Sequence, residues 1–136
     1  MNYFLAKTDP DTYTIDDLER DKKTAWDGVT NAQAVRNIRE MKPGDKVFIY
    51  HSGGLSAIVG LAKVVSEPRP DPKNVKSAVV DLEYVGRIEP PTSLSEVKQS
   101  GKFDDWALVR QSRLSTMAAP AKFVEWMKAK YPKAKI

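Results

Sequence analysis

Six consecutive residues, Trp26-Asp27-Gly28-Val29-Thr30-Asn31, bring an aromatic plane, an acid, a flexible backbone and an amide into one short run. Glycine stands where a helix favours alanine, and the run is too irregular for a strand. It reads as a structured loop that opens a helix, with Asn31 as the N-cap. A loop that carries tryptophan must seat the ring either in the core or against a ligand, and both seats are open. Against a ligand, the parts available suit a nucleobase. Trp26 supplies a stacking plane, Asn31 or Ser52 reads a base edge, and Lys7, Arg110 and Arg113 meet phosphate or sugar. The other reading of Arg110 and Arg113 is a surface pair with local acids.

Other chemistries find fewer parts. The chain has no cysteine and one histidine, His51, so thiolate catalysis, disulfides and zinc ribbons are excluded. Asp9, Asp11, Asp16 and Asp17 lie close together but lack the spacing of a calcium loop. They fit turns and a helix start instead. His51 and Ser52 are adjacent, and alternate strand positions point to opposite faces, so they make no catalytic dyad. Gly53-Gly54 is not followed by the Lys-Ser/Thr of a phosphate loop. No metal and no cofactor is expected.

The elements that must position these residues are legible in outline. Asn2–Lys7 is an apolar run that reads as a strand, ended by the turn Thr8-Asp9-Pro10-Asp11. Thr14 caps a short helix whose first turn carries Asp16 and Asp17. After Asn31, Val35, Ile38 and Met41 keep helical spacing until Pro43-Gly44 stops them. Lys46–Ser52 is a strand apolar on both faces, and Leu55–Val65 is a second, with Gly60 marking a bulge or corner. Pro68, Pro70 and Pro72 read as a rigid exposed connection. Ala78–Gly86 alternates as a strand that Pro90-Pro91 ends. Ser93 caps a short helix, with Glu96 completing a capping box. Trp106–Val109 reads as a short extended piece, and residues 110–119 carry no clear signal. Pro120 opens a last helix bearing Phe123, Val124, Met127 and Tyr131, and Pro132 ends it.

With 136 residues, 41% of them hydrophobic and 29% charged, the chain suits one folded α+β domain, a mainly β, partly closed sheet with helices over its ends. No apolar run approaches ~20 residues, and no leader pattern opens the chain, so neither a membrane nor secretion is expected, and a cytoplasmic monomer is. The net charge of +4 comes wholly from residues 92–136, which hold nine basic and four acidic side chains. A basic end segment suits a nucleic-acid partner, or else a solvated tail fraying over 133–136.

Several motifs, in order, resemble one family. Tyr3-Phe4-Leu5-Ala6-Lys7-Thr8-Asp9-Pro10, Tyr13-Thr14-Ile15-Asp16-Asp17-Leu18, the Trp26–Asn31 loop with Gln33-Ala34, Met41-Lys42-Pro43-Gly44-Asp45, Phe48-Ile49-Tyr50-His51-Ser52 and Val109-Arg110-Gln111-Ser112-Arg113-Leu114-Ser115 are similar to those of EVE-domain proteins, members of the PUA-like superfamily. The resemblance implies one domain over 1–136, a pseudo-barrel of five or six mostly antiparallel strands with peripheral helices. It implies a non-enzymatic module that reads a modified, flipped base in DNA or RNA. Pocket residues carried over are Lys7, Thr8, Trp26, Asn31, Ser52, Arg113 and Ser115, with Lys7 and Arg110 towards phosphate. Thr30 stands where the family commonly has arginine, and Thr8-Asp9 replaces the usual Ser-Glu. The related ASCH domains imply a second reading, a small hydrolase of acylated nucleosides using Lys7, Thr8 and Asp27.

Overall fold

A computed structural model describes residues 1–136. The apolar N-terminal run is strand β1 (Tyr3–Thr8). Helix α1 (Ile15–Asp21) starts where the sequence predicts. The Asp17 N–H donates to the Thr14 hydroxyl at 3.1 Å and the Thr14 N–H to the Asp17 carboxylate at 2.9 Å, a reciprocal capping box. Strand β2 (Lys23–Trp26) leads into the tryptophan loop. Helix α2 (Ala32–Arg39) is capped by Asn31, whose Oδ1 accepts from the Gln33 and Ala34 N–H groups at 2.9 and 3.0 Å. Then come β3 (Lys46–His51), β4 (Ala57–Val64), β5 (Arg69–Asp71), β6 (Asn74–Ser93), α3 (Leu94–Gln99), α4 (Ala107–Arg110), β7 (Thr116–Ala118) and α5 (Ala121–Lys130).

Six strands run in the order β2-β6-β4-β3-β1-β7, and β5 pairs with β6 off that path. Only β1 and β3 are parallel, in register from Tyr3↔Lys46 to Thr8↔His51. Strand β3 is central, with Val47 to Tyr50 all buried, as its two-faced apolar run predicts. Helix α2 packs on both β6 and β7, strands near opposite ends of that order. The Asn37 side-chain amide also donates to the Thr116 carbonyl at 3.0 Å. The sheet therefore curls, and α2 closes the gap of the pseudo-barrel. Inside lies one continuous apolar core from Phe4 to Tyr131. Gly60 sits at a register shift between β4 and β6, and a Cβ there would stand 2.8 Å from Ile15 Cγ1. Asp45 is buried and fastens the turn before β3 to the N-terminus: its carboxylate accepts from the Asn2 and Lys42 N–H groups, each at 3.0 Å.

Seven strands exceed the expected five or six, and two reasons account for the difference. Lys23–Trp26, where the sequence predicts no strand and Trp26 reads as the start of a loop, pairs with β6 through Thr24↔Leu82 and Trp26↔Val80. The proline-rich connection contains β5, where Pro70 is tolerated because the strand is an edge. Pro90-Pro91 does not end β6. The prolines fall between the Gly60↔Arg87 and Ile58↔Thr92 pairs, where the irregular ladder needs no N–H from them. Trp106–Val109 is not extended but enters α4. Trp106 is held by tertiary contacts, its indole N–H donating to the Ala118 carbonyl at 2.9 Å and its ring lying 4.4 Å from Phe123. Ser93 caps α3, but Glu96 does not return the bond; its carboxylate pairs with Lys130. In the segment expected to fray, Ala134 and Ile136 pack on the core and Lys46 Nζ donates to the Lys135 carbonyl.

Candidate functional site

At the C-terminal end of β1 the chain encloses a cavity of about 510 Å³. Three segments build it. The Lys7 N–H donates to the Ser115 carbonyl at 2.7 Å, which draws residues 113–115 against β1. The Thr8 hydroxyl donates to the Tyr13 carbonyl at 2.8 Å, which folds the turn over the strand end. The third wall is β2 and the loop behind it. Trp26 is the last residue of β2 and is 8% exposed; it belongs to the core and also lines the cavity. Tyr13 meets its ring edge-on, with centroids 6.3 Å apart and planes at 84°. Gly28 then turns the chain at φ +76, a backbone conformation that side chains disfavour. Asn31 closes the wall. Because Oδ1 caps α2, the group it has left to offer is the Nδ2 donor.

Charge around the cavity is balanced, with Lys7 and Arg113 facing Asp9 and Asp27. Lys7 is half-buried. Its ammonium donates to the Ser112 carbonyl at 3.0 Å and lies 5.4 Å from the centre of the Tyr50 ring. Burial holds its pKa below the ordinary lysine value. Arg113 is exposed on the rim and takes part in no ion pair.

Six of the eight residues singled out from the sequence therefore share one cavity: Lys7, Thr8, Trp26, Asn31, Arg113 and Ser115. Two do not. Ser52 stands behind the wall, where its N–H and hydroxyl both donate to the Thr8 carbonyl, at 3.0 and 3.3 Å. It braces the end of β1 rather than reading a base edge. Arg110 closes on its own neighbourhood. It donates to the Asp104 carbonyl at 3.0 Å and pairs with the Asp105 carboxylate at 3.2 Å, the surface pairing that was its alternative. Thr12, Tyr13 and Thr24 line the cavity without having been singled out. The aromatic directly before the Thr14 cap was the available signal for Tyr13. His51 also has a structural place: its Nε2 accepts from the Ile15 N–H at 3.0 Å, which puts the imidazole proton on Nδ1.

Part of the basic charge lies far from this cavity. Lys46 opens β3 beside Tyr3, at the far end of the β1–β3 pair from Thr8, about 16 Å away at strand rise. Burial, then Lys128 and Lys63, lower the pKa of Lys46, so these three lysines cluster at the opposite pole.

A curled α+β sheet with a cavity at a strand end, walled by an aromatic and a helix-capping amide, is an architecture of the PUA-like class. The EVE domain model matches residues 2–129, and the chain belongs to the EVE domain family. It is 34% identical to rat thymocyte nuclear protein 1 over 125 residues, which is 71% of this chain and 55% of the rat protein. The human protein is 29% identical over a 150-residue alignment, 84% of this chain and 67% of that one. The chain thus spans little more than half to two thirds of these relatives. A Pseudomonas syringae crystal structure matches at TM-score 0.87 and 32% identity, covering 94% of this chain and 98% of that one. Human THYN1 in complex with 5-methylcytosine-containing DNA matches at TM-score 0.87 and 25% identity, covering 98% and 99%. An ASCH protein from Zymomonas mobilis, at TM-score 0.59 and 8% identity, shares the fold alone, over 95% and 98% of the two chains.

Proposed function

We propose that this chain is a non-enzymatic reader of a modified nucleobase in DNA, taking the base out of the stack and into the cavity beside Trp26. The observation that carries the reading is the convergence of Trp26, Asn31, Lys7 and Arg113 on one cavity of about 510 Å³, a volume within the usual range for small-ligand pockets. The similarity to human THYN1, seen with 5-methylcytosine-containing DNA, supports the choice of ligand. A duplex keeps both faces of a base covered by its neighbours, so a base that stacks on Trp26 inside the cavity is an extruded one. The extruded base stacks on Trp26, and the Asn31 Nδ2 group donates to an acceptor on its edge. Arg113 and Lys7 hold the flanking phosphates. With threonine at position 30 in place of the family's usual arginine, Arg113 is the one exposed cation at the rim.

The test is binding to matched oligonucleotides, DNA and RNA, with and without a methylated cytosine. The methylated DNA should bind tightest. Trp26→Phe keeps an aromatic core residue and should lose part of the affinity. Trp26→Ala should lose about 1–3 kcal/mol of binding, the worth of one base–aromatic stack. Equal affinity of wild type and Trp26→Ala for methylated DNA would remove the stacking role.

The lowered pKa of Lys7, beside Thr8 and Asp27 in the same cavity, favours a second reading as a hydrolase of acylated nucleosides. In that reading Lys7 is the base. Against it, the Lys7 ammonium and the Thr8 hydroxyl both donate to backbone carbonyls. Release of cytidine from N4-acetylcytidine at high protein concentration would establish the hydrolase, and no release would remove it.

A further inference from the structure

The loop of residues 27–30 has two sides. One lines the large cavity; the other lines a smaller hollow of about 220 Å³ whose far wall is Asp71, Lys73, Asn74 and Ser77. Those residues belong to the hairpin of β5 and β6, the element that the sequence presented as a mere proline-rich connection.

The hairpin tip carries an unusual side chain for its place. Val75 is 77% exposed, one of three large apolar residues that the molecule leaves in solvent. A single exposed valine is ordinary by itself. Its setting is not. The tip is held rigid, with the Asp71 carboxylate accepting from the Lys73 N–H at 2.9 Å and Asn74 Oδ1 from the Lys76 N–H at 3.1 Å. Two braces tie it to the elements around the cavity. The buried Ser77 hydroxyl donates to the Val29 carbonyl in the cavity loop. Arg39 of α2 donates to the Lys76 carbonyl at 3.1 Å. Three cations, Lys73, Lys76 and Arg39, thus surround an apolar tip, and none of them takes part in an ion pair. Val75 lies two residues from the loop contact, about 7 Å of strand. That is about two base steps along a duplex at ~3.4 Å each.

An extruded nucleotide leaves a gap in the stack. Proteins that unstack DNA commonly fill such gaps with an apolar side chain. We propose that the β5–β6 hairpin is that wedge: Val75 enters the gap, while Lys73, Lys76 and Arg39 hold the phosphates on either side. The proposal rests on the cavity being the seat of the extruded base. It makes the protein a duplex reader in which the strand that gives up its base crosses the 27–30 loop.

The experiment compares Val75→Ala with wild type on two probes, a duplex carrying one 5-methylcytosine and the same methylated strand alone. The single strand has no stack to fill. Val75→Ala should weaken duplex binding roughly tenfold and change single-strand binding by less than about twofold. Val75 is exposed, so the variant should unfold at the wild-type temperature. A 2-aminopurine placed beside the methylated base should brighten on wild-type binding and brighten less with Val75→Ala. Lys73→Ala with Lys76→Ala should flatten the salt dependence on duplex. Wild-type duplex affinity in Val75→Ala, or an equal loss on both probes, would overturn the wedge and leave the cavity reading intact. Unchanged binding of both probes by Trp26→Ala, or no binding of either probe by wild type, would overturn the cavity reading and the wedge with it.

Discussion

Asn31 carries two jobs on one amide, and they can be separated. Its Oδ1 caps α2, while its Nδ2 donates to no other group of the chain and belongs to a residue that lines the cavity. Asn31→Asp keeps the cap oxygen and places a favourable charge at the helix N-terminus, so stability should hold or rise slightly. The donor is gone, and a carboxylate meets an acceptor edge. Affinity for methylated DNA should therefore fall while the melting temperature does not; titration and thermal denaturation of the same sample check both. Asn31→Ala should instead cost about 0.5–2 kcal/mol of stability as well. His51 couples the fold to pH near neutrality. Burial, helped by Arg87 and opposed by Asp16, holds its pKa below the ordinary value, and its neutral Nε2 accepts from the Ile15 N–H. The unfolded chain takes up the proton first as pH falls, so His51 contributes fully above about pH 6.5 and that contribution is lost below it. The unfolding free energy from denaturant titrations between about pH 7 and pH 5 should fall by no more than about 1.4 kcal/mol per pH unit on this account. His51→Gln, which cannot titrate, should flatten that part of the profile.

At the scale of elements, the packing of α1 on the sheet leans on one glycine. Gly60 lets α1 approach the β4–β6 bulge; a methyl there meets Ile15, which is buried, and stands 3.2 Å from the Gly86 carbonyl. Gly60→Ala should cost about 1–3 kcal/mol by overpacking, read as a lower urea midpoint with an unchanged slope. Elements whose signals are local were legible in the chain itself. The Thr14 cap, the Asn31 cap and the Pro120 start of α5 each stand where their residue types put them. The elements that were missed take their state from distant partners. Strand β2 is only four residues long, Lys23 to Trp26, and it exists because Val80 and Leu82 stand opposite it. Helix α4 has four residues and no side-chain cap, and Trp106 is anchored by Ala118 and Phe123. Neither fact is visible within a window of ten residues.

At the scale of the whole molecule, one cluster of lysines and the cavity are at different poles. Lys46, Lys63 and Lys128 lie at the start of the β1–β3 pair, and the cavity lies at its end. The cavity's own cations, Lys7 and Arg113, reach few phosphates, so their share of the salt dependence of DNA binding should be small beside that of the hairpin cations Lys73, Lys76 and Arg39. Arg113→Ala should lower the magnitude of the log–log salt slope by about 0.9, one phosphate contact. Lys128→Ala should leave that slope unchanged, although it removes the same charge from the same basic third of the chain. Binding isotherms over a salt series check both variants.

What the sequence by itself determined is the set of things decided within a few residues: helix caps, turns, the apolar face of each strand, and the ordered motifs that mark an EVE domain. It determined the residue types of the cavity for the same reason, since each type sits in a motif. Which of those residues meet was decided by tertiary structure. Lys7 reaches the 112–115 segment across 105 positions, and Val29 takes a hydrogen bond from Ser77 across 48. Such contacts depend on the curl of the sheet, and no local pattern encodes them. They turned Ser52 and Arg110 away from the cavity and brought Tyr13 into it. They also placed Trp26, the last residue of β2, in the apolar core and on the cavity wall at once, a position that depends on the pairing of β2 with β6 and that no local pattern encodes.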